Sequence, residues 1–237
     1  MQDTLNAQNF NRYSYCLNNP LKFVDPSGWL ISPYFDIKGN FLGVDENGFF
    51  GQIFITSKET FNTFSKDGIG DSKMLQKSGD TKEFYSYRSK LTDNAINSIL
   101  TKIIDGTELP YGEGKLKEGE FNVKFTNDYS SNGEYKGLQN SVHHFDFSVT
   151  NYEWTVENIS GTAIHEIWGH GIKGYANRVE DKHHLIYGAQ IDDSQNWKQS
   201  TNEYKGFVLR HYEKYYKEET GLQFPNKYLN IIKKYKH

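Results

Sequence analysis

Three observations predict an α+β fold with a small mixed or antiparallel sheet and one active-site helix. Two segments, "GEFNVKFTN" (119–127) and "SVHHFDFSV" (141–149), alternate apolar and polar residues as half-buried strands do. Two others, 81–104 and 202–219, place apolar residues near the 3.6-residue helical period. Between the two groups lies "GTAIHEIWGHG" (161–171), which sets two histidines and a glutamate in a helix-compatible run with a glycine exit.

Taken in order, 34–56 reads as short strands punctuated by Lys38-Gly39-Asn40 and Glu46-Asn47-Gly48. The stretch 65–73 is expected to be a loop. A helix is expected over 81–104, carrying Phe84, Tyr85, Leu91, Ile96, Ile99, Leu100 and Ile103 on one side and ending at Asp105-Gly106. A turn-rich stretch around Pro110 leads to the two strands. The next helix starts near Ser160, with Ser160 or Thr162 as N-cap, and Gly171 and Gly174 stop it. The 202–219 helix carries Phe207, Val208, Leu209, Tyr212, Tyr215 and Tyr216, and a Lys-rich tail, 228–237, is expected to be helical and exposed.

The 237 residues carry 27 Lys+Arg against 30 Asp+Glu, a net charge of −3, so nucleic acid is not an expected partner. Aromatic residues make up 16% of the chain and supply a core although the hydrophobic fraction is only 36%. Cys16 is the single cysteine, which excludes an internal disulfide and a cysteine-based zinc site. No apolar run approaches the ~18 residues of a membrane segment. The opening residues, "MQDTLNAQNF", are polar, so no signal peptide is expected.

The chemistry is concentrated in His165-Glu166-x-x-Gly169-His170. In the familiar H-E-x-x-H helix the histidines are four apart and share a face. Here they are five apart. At about 100° per residue an α-helix would leave them roughly 140° apart. A local π-turn, with its i→i+5 repeat, restores alignment, and Gly169 lowers the strain of forming it. So aligned, His165 and His170 are candidate Zn²⁺ ligands, and Glu166 is the candidate base for a zinc-bound water.

Two resemblances bear on this reading. "NFNRYSYCLNNPLKFVDPSGW" (9–29) resembles the end of the RHS-repeat-associated core, through Asn11, Tyr13, Tyr15, Asn18, Asn19, Pro20, Leu21, Asp25, Pro26 and Gly28. In that family a β-shell of tyrosine-rich repeats encloses a C-terminal toxin, and many members cut themselves just after D-P-x-G. The resemblance implies a core remnant over 1–29 with Asp25 as a self-cleavage residue, then an effector domain over 30–237 whose metal-site region spans 141–220. It also implies an RHS shell in the parent chain, a cognate immunity protein, and secretion or delivery into target cells in interbacterial competition. The hexapeptide itself resembles the H-E-x-x-G-H of dipeptidyl-peptidase III and of zincin-like metallopeptidase toxins appended to RHS proteins. That implies a zincin-like fold acting on a protein or peptide substrate, with His165 and His170 as ligands and Glu166 as base.

A third ligand is required, and several residues compete. "VEDKHHLIYGAQ" offers Glu180, Asp181, His183 and His184; His183 or His184 ranks first, and Glu203, on the first turn of the following helix, is the alternative. His143 or His144 could orient substrate or stabilise an oxyanion. Tyr175, Tyr187, Tyr204, His211 and Tyr212 are further possible donors. Two rival functions stay open: an HNH-like metal-dependent nuclease using the His183–His184 pair with Asp181, and a non-catalytic binding domain stabilised by its metal.

Overall fold

The structure, a computed structural model, describes residues 32–46, 48–127, 132–148, 152–175, 182–192 and 195–235. The expected core remnant with Asp25, and the candidate ligands Glu180 and Asp181, lie outside the described residues.

The first part is a small mixed sheet. Strands β1 (Pro33–Phe35) and β2 (Phe41–Asp45) form the expected hairpin. Its turn is held by Asp36, whose Oδ1 accepts from the backbone N–H groups of Lys38 and Asn40 at 2.8 and 2.9 Å. After β3 (Phe54–Ile55) and α1 (Lys58–Thr63), the stretch expected to be a loop is instead ordered as β4 (Ser65–Lys66), β5 (Ile69–Gly70) and the start of α2 (Ser72–Lys77). Asp67 and Gly68, both at positive φ, make the two-residue hairpin turn, and Asp71 caps α2 by accepting from the N–H of Met74. With β6 (Lys82–Glu83) the strand order is β4-β5-β2-β1-β3-β6.

The single helix expected over 81–104 is in fact broken. A four-residue helix, α3 (Phe84–Tyr87), and a 3₁₀ turn precede α4 (Asp93–Ile104). Thr92 is extended, and its hydroxyl accepts from the N–H of Ala95, so the helix restarts from a fresh cap.

A second, three-stranded sheet follows: β7 (Phe121–Thr126), β8 (Gly133–Gln139) and β9 (Val142–Ser148), in the order β7-β9-β8. β7 is parallel and β8 antiparallel to β9. Then come α5 (Val156–Ala163), running without a break into a π-helical segment (Ile164–Ile172), and α6 (His183–Asp192), α7 (Gln195–Gln199), α8 (Asn202–Thr220) and α9 (Asn226–Tyr235). The fold is α+β with small mixed sheets.

Trp154 is fully buried, with the rings of Phe84, Tyr85, Phe125 and Phe147 at centroid distances from 5.1 to 6.3 Å. It joins the two parts of the chain just ahead of α5, which starts earlier than expected because Thr155 is the cap, accepting from the N–H of Asn158. Ser160 and Thr162 are therefore buried inside the helix rather than capping it. Ser160 Oγ accepts from the Thr107 hydroxyl at 3.1 Å, and the Thr162 hydroxyl donates back to the Asn158 carbonyl at 2.9 Å. The Lys-rich tail is helical but not wholly exposed. Tyr228 and Ile232, one turn apart on α9, are buried with Tyr212 of α8 and Phe224 in a separate aromatic cluster.

Trp154→Ala is expected to cost about 3–5 kcal/mol, as large-to-small changes of buried aromatics do. Urea unfolding measures it, and a loss below about 1 kcal/mol would mean that Trp154 does not join the two parts as described.

Candidate metal centre

The widened turn expected from the His165–His170 spacing is present. The N–H of Lys173 donates to the carbonyl of Trp168 at 2.8 Å, an i→i+5 bond. The π-helical segment, Ile164–Ile172, brings the rings of His165 and His170 to a centroid distance of 5.0 Å on the same side.

The glycines of the motif mark where other elements rest on this helix. A Cβ on Gly161 would lie 2.3 Å from the Tyr204 hydroxyl of α8. On Gly169 it would lie 2.6 Å from the buried side chain of Ile186 on α6, and on Gly171 it would lie 2.7 Å from His143 Nδ1 and 2.9 Å from the Tyr135 ring. Gly169 has no positive φ, so its observed contribution is close approach: it admits Ile186 and with it α6.

That approach brings a third imidazole to the pair. His183 lies one turn before Ile186, and its ring sits 5.8 Å from His165 and 4.8 Å from His170. One ligand atom each from His165, His170 and His183 all fall within 4.8 Å of one another. Of the two candidates, His183 joins the cluster and His184 does not, since neighbours on a helix point about 100° apart and only one of them faces the pair. His184 turns to α8 instead, where its Nδ1–H donates to Glu219 Oε2 at 2.6 Å. Glu203 does stand on the first turn of α8, but it is exposed and outside the cluster.

Each imidazole of the cluster has a partner on its outer side. Gln190 Nε2 donates to the Gly161 carbonyl at 2.8 Å and to the Tyr204 hydroxyl at 3.0 Å, which leaves its Oε1 to accept from His165 Nδ1–H at 3.2 Å. The tautomer so fixed carries its lone pair on Nε2. His170 Nδ1–H donates to the Tyr175 carbonyl at 2.9 Å, with the same consequence. His183 stacks on Tyr215 of α8 at 4.5 Å and 18°. Its backbone N–H, with that of His184, is capped by Glu219 at 3.2 and 3.0 Å. Burial, then the neighbouring His170 and His183, hold the His165 imidazole well below its usual pKa, in the neutral form a metal needs. Three imidazoles, two of them with Nδ1 held by outer acceptors, are a donor set that fits a divalent metal ion.

Glu166 lies against the sheet. It is only 6% exposed, and a Cβ on Gly133 of β8 would come within 3.0 Å of its Cγ. Burial pushes its carboxyl up to about 8; a hydrogen bond from the Tyr135 backbone opposes the shift, and the nearby Glu134 adds to it. Among the possible donors, the Tyr187 ring lies tilted against His165 at 4.6 Å, and His211 lies beyond it with its Nδ1–H donating to the Phe207 carbonyl. Tyr204 is engaged by Gln190, Tyr212 belongs to the α8–α9 aromatic cluster, and the Tyr175 ring packs on Trp168 at 6.1 Å. His143 shares a 2.9 Å hydrogen bond with the Tyr135 hydroxyl, whereas His144, the next residue of the strand, points to the opposite face. Gln190, Tyr215 and Glu219 are not marked in the sequence as site residues, since nothing there points to them as partners of histidines elsewhere in the chain.

No family model, curated protein or solved structure matches this chain.

Two outcomes follow from this geometry. His183→Ala is expected to abolish tight metal binding, whereas His184→Ala weakens it only about tenfold, the low end of outer-partner effects. Competition against a fluorescent zinc chelator measures both, and equal losses would contradict the assignment. In chelator-treated protein, Glu166→Gln is expected to raise the melting temperature. The stability that comes with a protonated Glu166 is complete below its ordinary value of 4.5 and is lost as pH rises through about 8. The gain from Gln should therefore be larger at about pH 8.5 than at about pH 5, and an equal gain at both would contradict the burial of this carboxyl.

Proposed function

We propose that this chain is a zinc-dependent peptidase, the effector part of an RHS-type protein. One observation carries the reading: the His165–His170–His183 cluster and the buried carboxyl of Glu166 lie on and around the same widened turn. His165, His170 and His183 would hold the ion. A Zn²⁺ bound there supplies Lewis acidity, a water acidified to a pKa of about 7, and a positive charge beside Glu166 that favours its ionised form.

The chain's own groups do the rest. Glu166 takes a proton from the attacking water and passes it to the leaving amide nitrogen; a C–O bond forms, the C–N bond breaks, and a carboxylate and an amine result. Gln190 and the Tyr175 carbonyl hold the imidazoles of His165 and His170 in place, and Glu219 caps the backbone N–H of His183. Tyr187 and Tyr215 line the cluster with aromatic surface that excludes water.

The peptide class of the substrate is supported by β8. It is an outer strand of its sheet, and the backbone of Tyr135, in its middle, is hydrogen-bonded to Glu166 rather than to a further strand. An extended peptide can add along such an edge with its scissile bond beside Glu166. The pairing of His184 with Glu219 gives the HNH-like nuclease reading no matching support.

Glu166→Gln is expected to lower kcat/KM on a mixed fluorogenic peptide library by about 10²–10⁴-fold with zinc stoichiometry unchanged. Full activity in that variant would contradict the proposal, and a zinc-loaded protein that cuts no peptide would favour a metal-stabilised binding domain.

A further inference from the structure

The sheet carries a second polar pair that the hydrolytic account leaves unused. Tyr135 of β8 and His143 of β9 are both half-buried, and the Tyr135 hydroxyl lies 2.9 Å from His143 Nδ1. Their place relative to the metal centre follows from the widened turn. Glu166 and Gly171 are five residues apart, so in the i→i+5 geometry they lie on one side of the segment, as His165 and His170 do on another. That side faces the sheet. Glu166 rests on Gly133 and on the backbone of Tyr135, and Gly171 rests on the Tyr135 ring and on His143.

Tyr135 therefore touches both ends of this face. Its main chain hydrogen-bonds the carboxylate of the proposed base, and its side chain hydrogen-bonds an imidazole one π-turn further on. Gly171 adjoins the ligand His170, so the imidazole stands beside the metal-binding turn rather than off on the sheet. His143 also has an open flank: Leu138, its cross-strand partner and thus on its face of the sheet, is 59% exposed, and Ile172 at the end of the π segment is 45% exposed. A half-buried imidazole with a hydroxyl aimed at one nitrogen and an open apolar border is arranged as an oriented donor.

We propose that His143 faces the substrate and donates a hydrogen bond through Nε2–H to the scissile carbonyl oxygen as negative charge develops on it, and that Tyr135 positions it by donating its hydroxyl proton to Nδ1. A neutral imidazole has one donor and one acceptor, so accepting at Nδ1 places its proton on Nε2. Such a donor acts when it is held in place before charge develops, and the Tyr135 bond supplies that hold. The proposal rests on the peptidase reading and adds to it a residue outside the H-E-x-x-G-H run.

The test combines a spectrum with kinetics. In the ¹⁵N-labelled metal-free protein, the His143 imidazole is expected to show an unprotonated Nδ1 and a protonated Nε2, with Tyr135→Phe removing the Nδ1 hydrogen-bond shift. On the best peptide from a mixed library, His143→Ala is expected to lower kcat about 10²-fold, the effect of removing one such donor, with KM and zinc stoichiometry unchanged. Tyr135→Phe keeps the ring on Gly171 and the backbone bond to Glu166, and is expected to lower kcat about tenfold, the loss of one neutral hydrogen bond. His143→Gln, which retains an N–H donor, should recover much of the activity. A protonated Nδ1 in the wild type, or a His143→Ala variant within about threefold of wild type while Glu166→Gln is dead, would overturn the proposal alone. A wild-type protein that cleaves no peptide in the library would overturn the peptidase reading, and this proposal with it.

Discussion

The π-helical conformation of Ile164–Ile172, closed at its end by the Lys173 N–H donating to the Trp168 carbonyl five residues back, is the constraint on which the rest of the site depends. An α-helical turn here would send His165 and His170 to different sides. The wider turn aligns two pairs at once: the histidines toward α6, and Glu166 with Gly171 toward the sheet. The segment is thus packed against a partner on each of two neighbouring faces. α6 closes on one side through Ile186 and Gly169, and the β8–β9 pair closes on the other through Gly133, Tyr135 and His143.

What surrounds the turn is polar, buried and internally satisfied. Tyr152 shares a hydrogen bond with the Thr162 hydroxyl, and Gln190 bridges the Gly161 carbonyl, the Tyr204 hydroxyl and His165. Leaving any of these groups unpaired in a dry interior costs about 1–3 kcal/mol, so the network locks side chains that would otherwise sample several rotamers. The same dryness disfavours charge. It keeps His165 neutral, which a ligand requires, and it holds Glu166 protonated in the absence of a cation, at a cost to the stability of the metal-free protein. A site that is unfavourable alone and relieved by a bound ion couples folding to metal binding.

Legibility in the sequence divides along the range of the interactions. Features set within one turn were readable: the β7 and β9 alternation, the α8 periodicity, the His165–Glu166–His170 run, and the need for a widened turn between its histidines. Features set by contacts across the chain were not. β8 alternates weakly because Gly133 and Gly137 interrupt it, and it exists by pairing with β9 and packing on the π segment. Which of the adjacent imidazoles of His183 and His184 turns toward the pair is not legible locally, because it follows from the docking of Ile186 against Gly169. Glu203 had the sequence context of a ligand, yet α8 presents it to solvent. Glu219 had no context at all, being 35 and 36 residues from the backbone groups it caps.

The central claim is that three imidazoles, from His165, His170 and His183, can together hold a divalent metal ion. X-ray absorption at the zinc edge of the purified, zinc-loaded protein tests it most directly. The account predicts four light-atom neighbours at about 2.0–2.1 Å, with the multiple-scattering pattern of three imidazoles, falling to two in His183→Ala. A first shell of two or fewer imidazoles in the wild type, or a spectrum unchanged by His183→Ala, would contradict it.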